Sequence, residues 1–304
     1  MAAKTGVRKV HTARTAVRRL FSNRTKRLNR SKSGDLVLIL IIVVFGLFSL
    51  LPMVMSINQA FKPLNEIFRY PPRIFVQNPT LSNFKQLFSL MTTTYVPFSR
   101  YIFNTVFVTA AGTIGHVLIA SMAAYPLAKH RAPGLGLMFG MVTVALMFNP
   151  SVADIANYIT MSSLHWIDTY FAMIVPAMAS SLGLFLMRQF IVTIPDSLLE
   201  SARLEGASEY RIFWSIIMPN IKPGWLTLAM FSFQTLWNST FSTYIYSEEM
   251  KTLPYALNQI VTSGIVRQGA SAAVGVIMMI VPVTFFIFSQ SRIMETLSTS
   301  GIKE

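Results

Sequence analysis

The sequence predicts an all-α polytopic membrane protein of six transmembrane helices with both termini in the cytoplasm. Three observations carry this expectation: an apolar and charge-poor composition, six long stretches with no charged residue, and an uneven distribution of Lys and Arg. The 304 residues are 53% hydrophobic, with a mean hydropathy of +0.51, and only 12% are charged. A soluble globular domain carries roughly 25% charged residues, so lipid is the expected solvent for much of this chain.

A bilayer crossing takes about 20 mostly apolar residues, because each backbone polar group must be satisfied within its own helix. Six stretches free of Asp, Glu, Lys and Arg meet that length: 36–57, 101–128, 132–153, 169–187, 223–247 and 268–291. The uncharged stretch 252–266 is shorter and holds Pro254, Asn258, Gln259 and Gly264; it reads as a loop helix outside the membrane. The expected organisation is a basic cytoplasmic tail over 1–34, a six-helix transmembrane domain over 35–292 and a cytoplasmic tail over 293–304.

Orientation follows from the retention of Lys and Arg on the cytoplasmic side. With the amino terminus inside, the cytoplasmic segments hold 19 of the 26 basic residues and the outer segments hold 7. Eleven of the 19 fall in residues 1–34, which contain no acid, leaving 15 basic and 12 acidic residues in the other 270. The formal charge of +14 therefore belongs to a tail. It does not mark a nucleic-acid-binding face, and no motif of that kind accompanies it. The tail also spaces Val7, Val10, Val17, Leu20, Phe21 and Leu28 among its cations. That pattern fits a segment lying along the anionic inner leaflet, and it fits equally one that only sets topology. The first span is longer than the 7–15 residue apolar core of a signal peptide and is expected to be retained.

Other chemistries lack their residues. There is no Cys, and His11, His116, His130 and His165 are too dispersed for a metal-ligand motif. No G-x-x-x-x-G-K-[ST] phosphate loop is present, so ATP hydrolysis is not expected in this chain. The spans carry no carboxylate, and Asp154 and Asp168 fall at an outer loop. This weakens the alternative of an ion-coupled secondary carrier, which ordinarily needs an intramembrane carboxylate or an unwound carbonyl site.

The most informative segment is the cytoplasmic loop 188–222 between the fourth and fifth spans. It reads as helix, turn and helix. Ser197 with Glu200 has the form of a capping box, Gly206 suits the left-handed end of a helix, and Ser208 suits the cap of the next. Pro219 and Pro223 are expected to stop the second helix and to start the fifth span. Ala202, Ile212, Phe213, Ile216 and Ile217 have no core of their own within such a loop, so a partner surface is expected for them.

This loop resembles the signature of importer-type ABC permeases, Glu-Ala-Ala, three residues, Gly, nine residues, then Ile-x-Leu-Pro. Here stand Glu200-Ser201-Ala202, Gly206, and Ile216-Ile217-Met218-Pro219 at the same spacing, with Ser201 and Met218 as departures. Further segments resemble the maltose-type, oligosaccharide branch: Phe61 to Phe68, Asn78 to Phe84, Ile167 to Tyr170, Leu184 to Phe190, and Trp237-Asn238. His165-Trp166 stands where that branch usually has Gly-Leu. The resemblance implies a type I ABC importer permease fold in a bacterial inner membrane. It also implies a second homologous permease, two ATP-binding subunits that bind ATP and Mg and dock on the loop, and an extracytoplasmic sugar-binding protein. Glu200, Ser201, Ala202, Gly206, Ile216 and Pro219 would then form the ATPase-coupling site. This chain itself is expected to be non-catalytic and to hold no cofactor or metal.

Sugars are uncharged and rich in hydroxyls, so their sites combine aromatic faces with amides and hydroxyls. The fifth span offers Phe233, Gln234, Trp237, Asn238, Phe241 and Tyr244. Met230, Gln234, Trp237, Asn238 and Phe241 would share one helical face. The same residues fit helix packing equally well. Asn104 and His116 in the second span read as packing groups, and the Asn149-Pro150 break in the third span leaves its role open. A non-transporting membrane scaffold, using the loop for interaction alone, is the remaining alternative.

Overall fold

The computed structural model describes residues 32–71, 73–92, 95–262 and 267–300, which are helical with no strand among them. Most of the basic tail and the last four residues lie outside the described residues. By contact the chain divides into residues 1–54 and 55–304. The described part of the first unit belongs to α1 (Lys32–Phe61). Its side chains from Leu36 to Leu51 are apolar on every face but for Ser49, and all are exposed. A helix apolar all round is matched to lipid or to other helices rather than to water.

The second unit begins with α2 (Leu64–Ile67), α3 (Ser82–Thr92), α4 (Phe98–Lys129) and α5 (Leu135–Ala145). A 3-10 turn (Pro150–Ala153) leads to α6 (Asp154–Ser163), α7 (Tyr170–Met178), α8 (Ser181–Val192) and α9 (Asp196–Leu204). Next comes α10 (Glu209–Ile212), which continues through a π-helical turn (Phe213–Ile217) into Met218–Asn220. α11 (Lys222–Asn238), a 3-10 turn (Glu248–Met250), α12 (Leu253–Val261) and α13 (Gln268–Ser300) complete the described chain.

Among the described residues three helices, α1, α4 and α13, are long and apolar enough to cross a bilayer, and α7 with α8 passes as a fourth span bent by 40°. The stretch 132–153 is not one helix. Asn149 accepts the Ser151 amide at 3.0 Å and Pro150 opens a tighter turn, because a proline at the first helical position has no N–H to lose. The stretch 223–247 is helical only to Asn238, a length of about 26 Å at 1.5 Å per residue. The helix expected within 252–266 is present as α12.

Helix α4 is the central member, packed against α7, α8 and α11. Lipid tails are as apolar as Leu, so helices associate in a membrane by close van der Waals contact and need small residues where they meet. Gly112 faces Leu236 of α11 and Gly115 faces Met178 of α7; an added Cβ would fall 2.7 and 2.1 Å from their side-chain carbons. At Gly183 of α8 a Cβ would lie 2.1 Å from His116 Nε2. His116 is 6% exposed, its Nδ1 is 3.1 Å from Ser232 Oγ on α11, and Nε2 packs on the glycine without a hydrogen-bond partner. The packing role expected for His116 thus has a specific form: it spans three helices.

A side chain at 183 would have to displace a rigid buried ring. Overpacking of this kind costs typically about 1–3 kcal/mol. Gly183→Val should lower the thermal unfolding midpoint of the detergent-solubilised protein, and His116→Ala in the same background should recover part of the loss. An unchanged midpoint in the single variant would contradict this contact.

Candidate functional site

The loop 188–222 folds as the helix, turn and helix that its sequence announces, with one cap misplaced. Helix α9 begins at Asp196 with Pro195 before it, so Ser197 lies inside the helix and no capping box forms. The Ser201 hydroxyl instead donates to the Ser197 carbonyl at 2.9 Å. At the other end Gly206 has φ +84. The Gly206 amide bonds Arg203 O at 3.0 Å, and the Ala207 amide bonds Ala202 O at 3.0 Å. This pair of bonds is the Schellman closure, which favours glycine at the left-handed position. Ser208 then accepts the Arg211 amide at 3.3 Å and caps α10.

Pro219 does not end the second helix. It lies within Met218–Asn220, directly after the π-helical turn. Proline has no amide hydrogen and its ring crowds the carbonyl four residues back, and a widened turn at 213–217 relieves that conflict. The break falls at Ile221, and Pro223 opens α11 as expected.

The apolar face of the loop also departs from expectation. Ala202, Ile212, Phe213 and Ile217 need no foreign surface. They are buried against Tyr125, Met187, Ile191 and Leu228 at the ends of α4, α8 and α11, with Ile216 partly buried beside them. Their tertiary partners lie in this same chain. Glu200, Ser201, Gly206 and Pro219 are exposed. So are Leu204, at 90%, and Tyr210, at 71%, and these two were not among the expected contacts. A cleft of about 350 Å³ between Ala202, Glu205, Arg211 and Ile216 lies beside them.

A polar seam fastens this loop to the end of α4. Tyr125, 6% exposed, donates its hydroxyl to the Glu209 carboxylate. Arg203 Nε lies 2.8 Å from the other oxygen of Glu209, and His130 Nε2 is 3.8 Å from Glu209. Lys129 Nζ meets Asp196 at 2.7 Å and also donates to the carbonyls of Val192 and Ile194. The hydrogen bond from Arg203, then that from Tyr125, hold the Glu209 carboxyl below its ordinary value; Lys129 does the same for Asp196. These residues escaped the sequence reading. The available signal was Tyr125 and Lys129, four apart and therefore on one face at the end of a long apolar stretch.

The residues expected along a substrate pathway separate into three groups. Phe233 stacks on Phe285 of α13 at 4.1 Å and on Trp237 at 5.8 Å, and Trp237 Nε1 donates to Met278 O at 3.2 Å. Both make contacts between α11 and α13. Gln234 and Asn238 are exposed, and the Asn238 amide bonds Gln234 O at 2.8 Å. Phe241 and Tyr244 lie beyond the helix end, so the single face expected over 230–241 is not formed. Phe241 has φ +52, and both pack beside Val108, Met173 and Ile245. One cavity among these helices, about 1110 Å³, has Phe233 and Trp237 in its wall, and another, about 810 Å³, is lined by Phe231, Thr235, Asn149, Asn157 and Ser180, with His116 in its wall.

Comparison with known proteins follows the same outline. Residues 116–297 match the family model described as binding-protein-dependent transport system inner membrane component. Protein LplC of Bacillus subtilis (strain 168) is 30% identical over 230 residues, 75% of this chain and 76% of that protein. The arabinooligosaccharides transport system permease protein AraQ of Halalkalibacterium halodurans is 28% identical over 83% of this chain and 90% of its own. Among solved structures, a bacterial ABC transporter involved in the import of the acidic polysaccharide alginate superposes with a TM-score of 0.71. That superposition covers 87% of this chain and 98% of the other at 20% identity, a likeness of fold.

The seam makes stability depend on pH. The folded Glu209 carboxyl titrates below its ordinary value of 4.5, so its contribution is present above about pH 4.5 and is lost as pH falls through the folded value. The difference in thermal midpoint between the parent and Glu209→Gln should therefore shrink from pH 7 to pH 3. Parallel curves across that range would show that Glu209 is not paired.

Proposed function

The chain belongs to the family of binding-protein-dependent transport system inner membrane components, and from that premise we propose that it is the channel-forming subunit of an ATP-driven importer of sugars. The observation that carries this reading is the helix–turn–helix 195–220. It is closed by a left-handed glycine, rests on the ends of three membrane helices, and presents Leu204 and Tyr210 to solvent. An exposed apolar pair on a rigid turn between two spans is suited to a partner's cleft. With no phosphate loop of its own, the chain takes its energy from that partner, an ATPase that binds ATP and Mg.

The reading includes six crossings with both termini in the cytoplasm, supported by the six uncharged stretches and the distribution of Lys and Arg. The crossings at 132–153 and 223–247 are then made by broken helices, which a membrane tolerates where the freed backbone is buried in protein or lines a polar cavity. A second permease completes the pathway, and an extracytoplasmic binding protein delivers the sugar. An oligosaccharide is the favoured cargo because the AraQ relative is named for one. The amides and hydroxyls of Asn149, Asn157, Ser180 and Thr235 beside Phe231 suit such a cargo, since carbohydrate offers hydroxyls and apolar faces and no charge.

The test is co-purification of the tagged chain with the products of its neighbouring genes. An ATPase and a second permease should come with it. Leu204→Asp should lower the retained ATPase by about tenfold, as expected for roughly 1–2 kcal/mol lost at a buried contact. Gly206→Val should act likewise by straining the turn. A chain that purifies without any ATPase, or retains it fully in both variants, would overturn the assignment.

A further inference from the structure

Helix α4 is fastened by polar contacts at both of its ends and by small-residue packing in between. At the end bearing Tyr125 and Lys129 it holds Glu209 and Asp196 of the loop, as described above, and Arg188 Nε donates to Leu127 O at 3.0 Å. The opposite end holds the segment after α11. Asn104 is fully buried and its amide donates to Glu249 O at 2.8 Å and to Lys251 O at 2.9 Å, while its oxygen accepts from the Tyr170 hydroxyl at 2.7 Å. Thr105, 1% exposed, accepts the Leu253 amide at 2.7 Å, and Tyr101 donates to Glu248 at 2.7 Å. Asn104 therefore does more than pack helices: two of its hydrogen bonds fix an irregular segment to α4, and the third ties it to Tyr170 of α7.

An α-helix of 32 residues, continuous through Pro126 in its last turn, is a rod about 48 Å long. Side chains that bind the backbone of a loop move that loop with the rod. We propose that α4 is the rigid link that carries movement of loop 188–222 to segment 239–253 on the opposite side of the membrane. Tyr125 and Lys129 are its inner positioning residues, and Asn104 and Thr105 its outer ones. The inference rests on the loop role proposed above and adds the path to the face where cargo arrives. Coupling of this kind is reciprocal, so a protein docking on the outer segment would bias the loop through the same contacts.

The chain has no cysteine, so Glu249→Cys, at an exposed position, introduces a single thiol beside the outer contacts. Its rate of modification by a water-soluble maleimide is measured in the purified complex in nanodiscs. Tyr125→Phe removes one hydroxyl at the far end of α4. It should change that rate by about fivefold or more without lowering the thermal midpoint to the same degree as a core substitution. ATP should shift the rate in the parent and not in Tyr125→Phe. Glu209→Gln serves as the second inner variant should Tyr125→Phe fold poorly. An unchanged rate in both inner variants would overturn the link. Absence of an ATPase from the complex would overturn the loop's role, and the comparison of variants without nucleotide would still decide the link.

Discussion

The close approach of α4 to its neighbours is the constraint on which the rest of the structure depends. In hydrocarbon there is no solvent to drive apolar surfaces together, so the helices hold by contact distance. Gly112, Gly115 and Gly183 set that distance to α11, α7 and α8. Once α4 sits this close, His116 has room only against Gly183 and Ser232. The polar ends of α4 then lie where loop 188–222 and segment 239–253 can reach them.

Burial of polar groups follows the same logic at both ends. Asn104 and Thr105 are buried, and the hydrogen bonds of Asn104 run to carbonyls that no helix or strand would satisfy. A buried polar side chain left without partners costs about 1–3 kcal/mol. The segment 248–253 is thus held by groups that would be unfavourable anywhere else. At the loop end the acids lie in the first turns of α9 and α10, where the helix dipole favours negative charge, and α4 supplies the donors.

Local chemistry was legible in the sequence and tertiary partnership was not. Gly206 and Ser208 were readable because the turn they make depends on backbone geometry within a few residues. Ser197 was misread as a cap because Pro195 starts the helix earlier. Ile212, Phe213 and Ile217 were assigned to a foreign surface because their contacts, Tyr125, Met187 and Leu228, are distant in sequence. Phe241 was placed on a helical face that ends three residues before it. The family signature lies in this loop, and within it the most exposed apolar residue, Leu204, stands between the signature positions.

The bend between α7 and α8 has a mechanical consequence. The Ala179 amide closes back on Pro176 at 3.2 Å, and Ser180 caps the following helix through the Gly183 amide at 3.4 Å. Each half therefore carries its own termination, and no ladder bond crosses the joint that bending would have to break. An ordinary membrane helix resists flexion with its whole hydrogen-bond column. Here the elastic resistance comes from side chains alone, which makes this span compliant at one point and stiff on either side of it, a knuckle beside a strut.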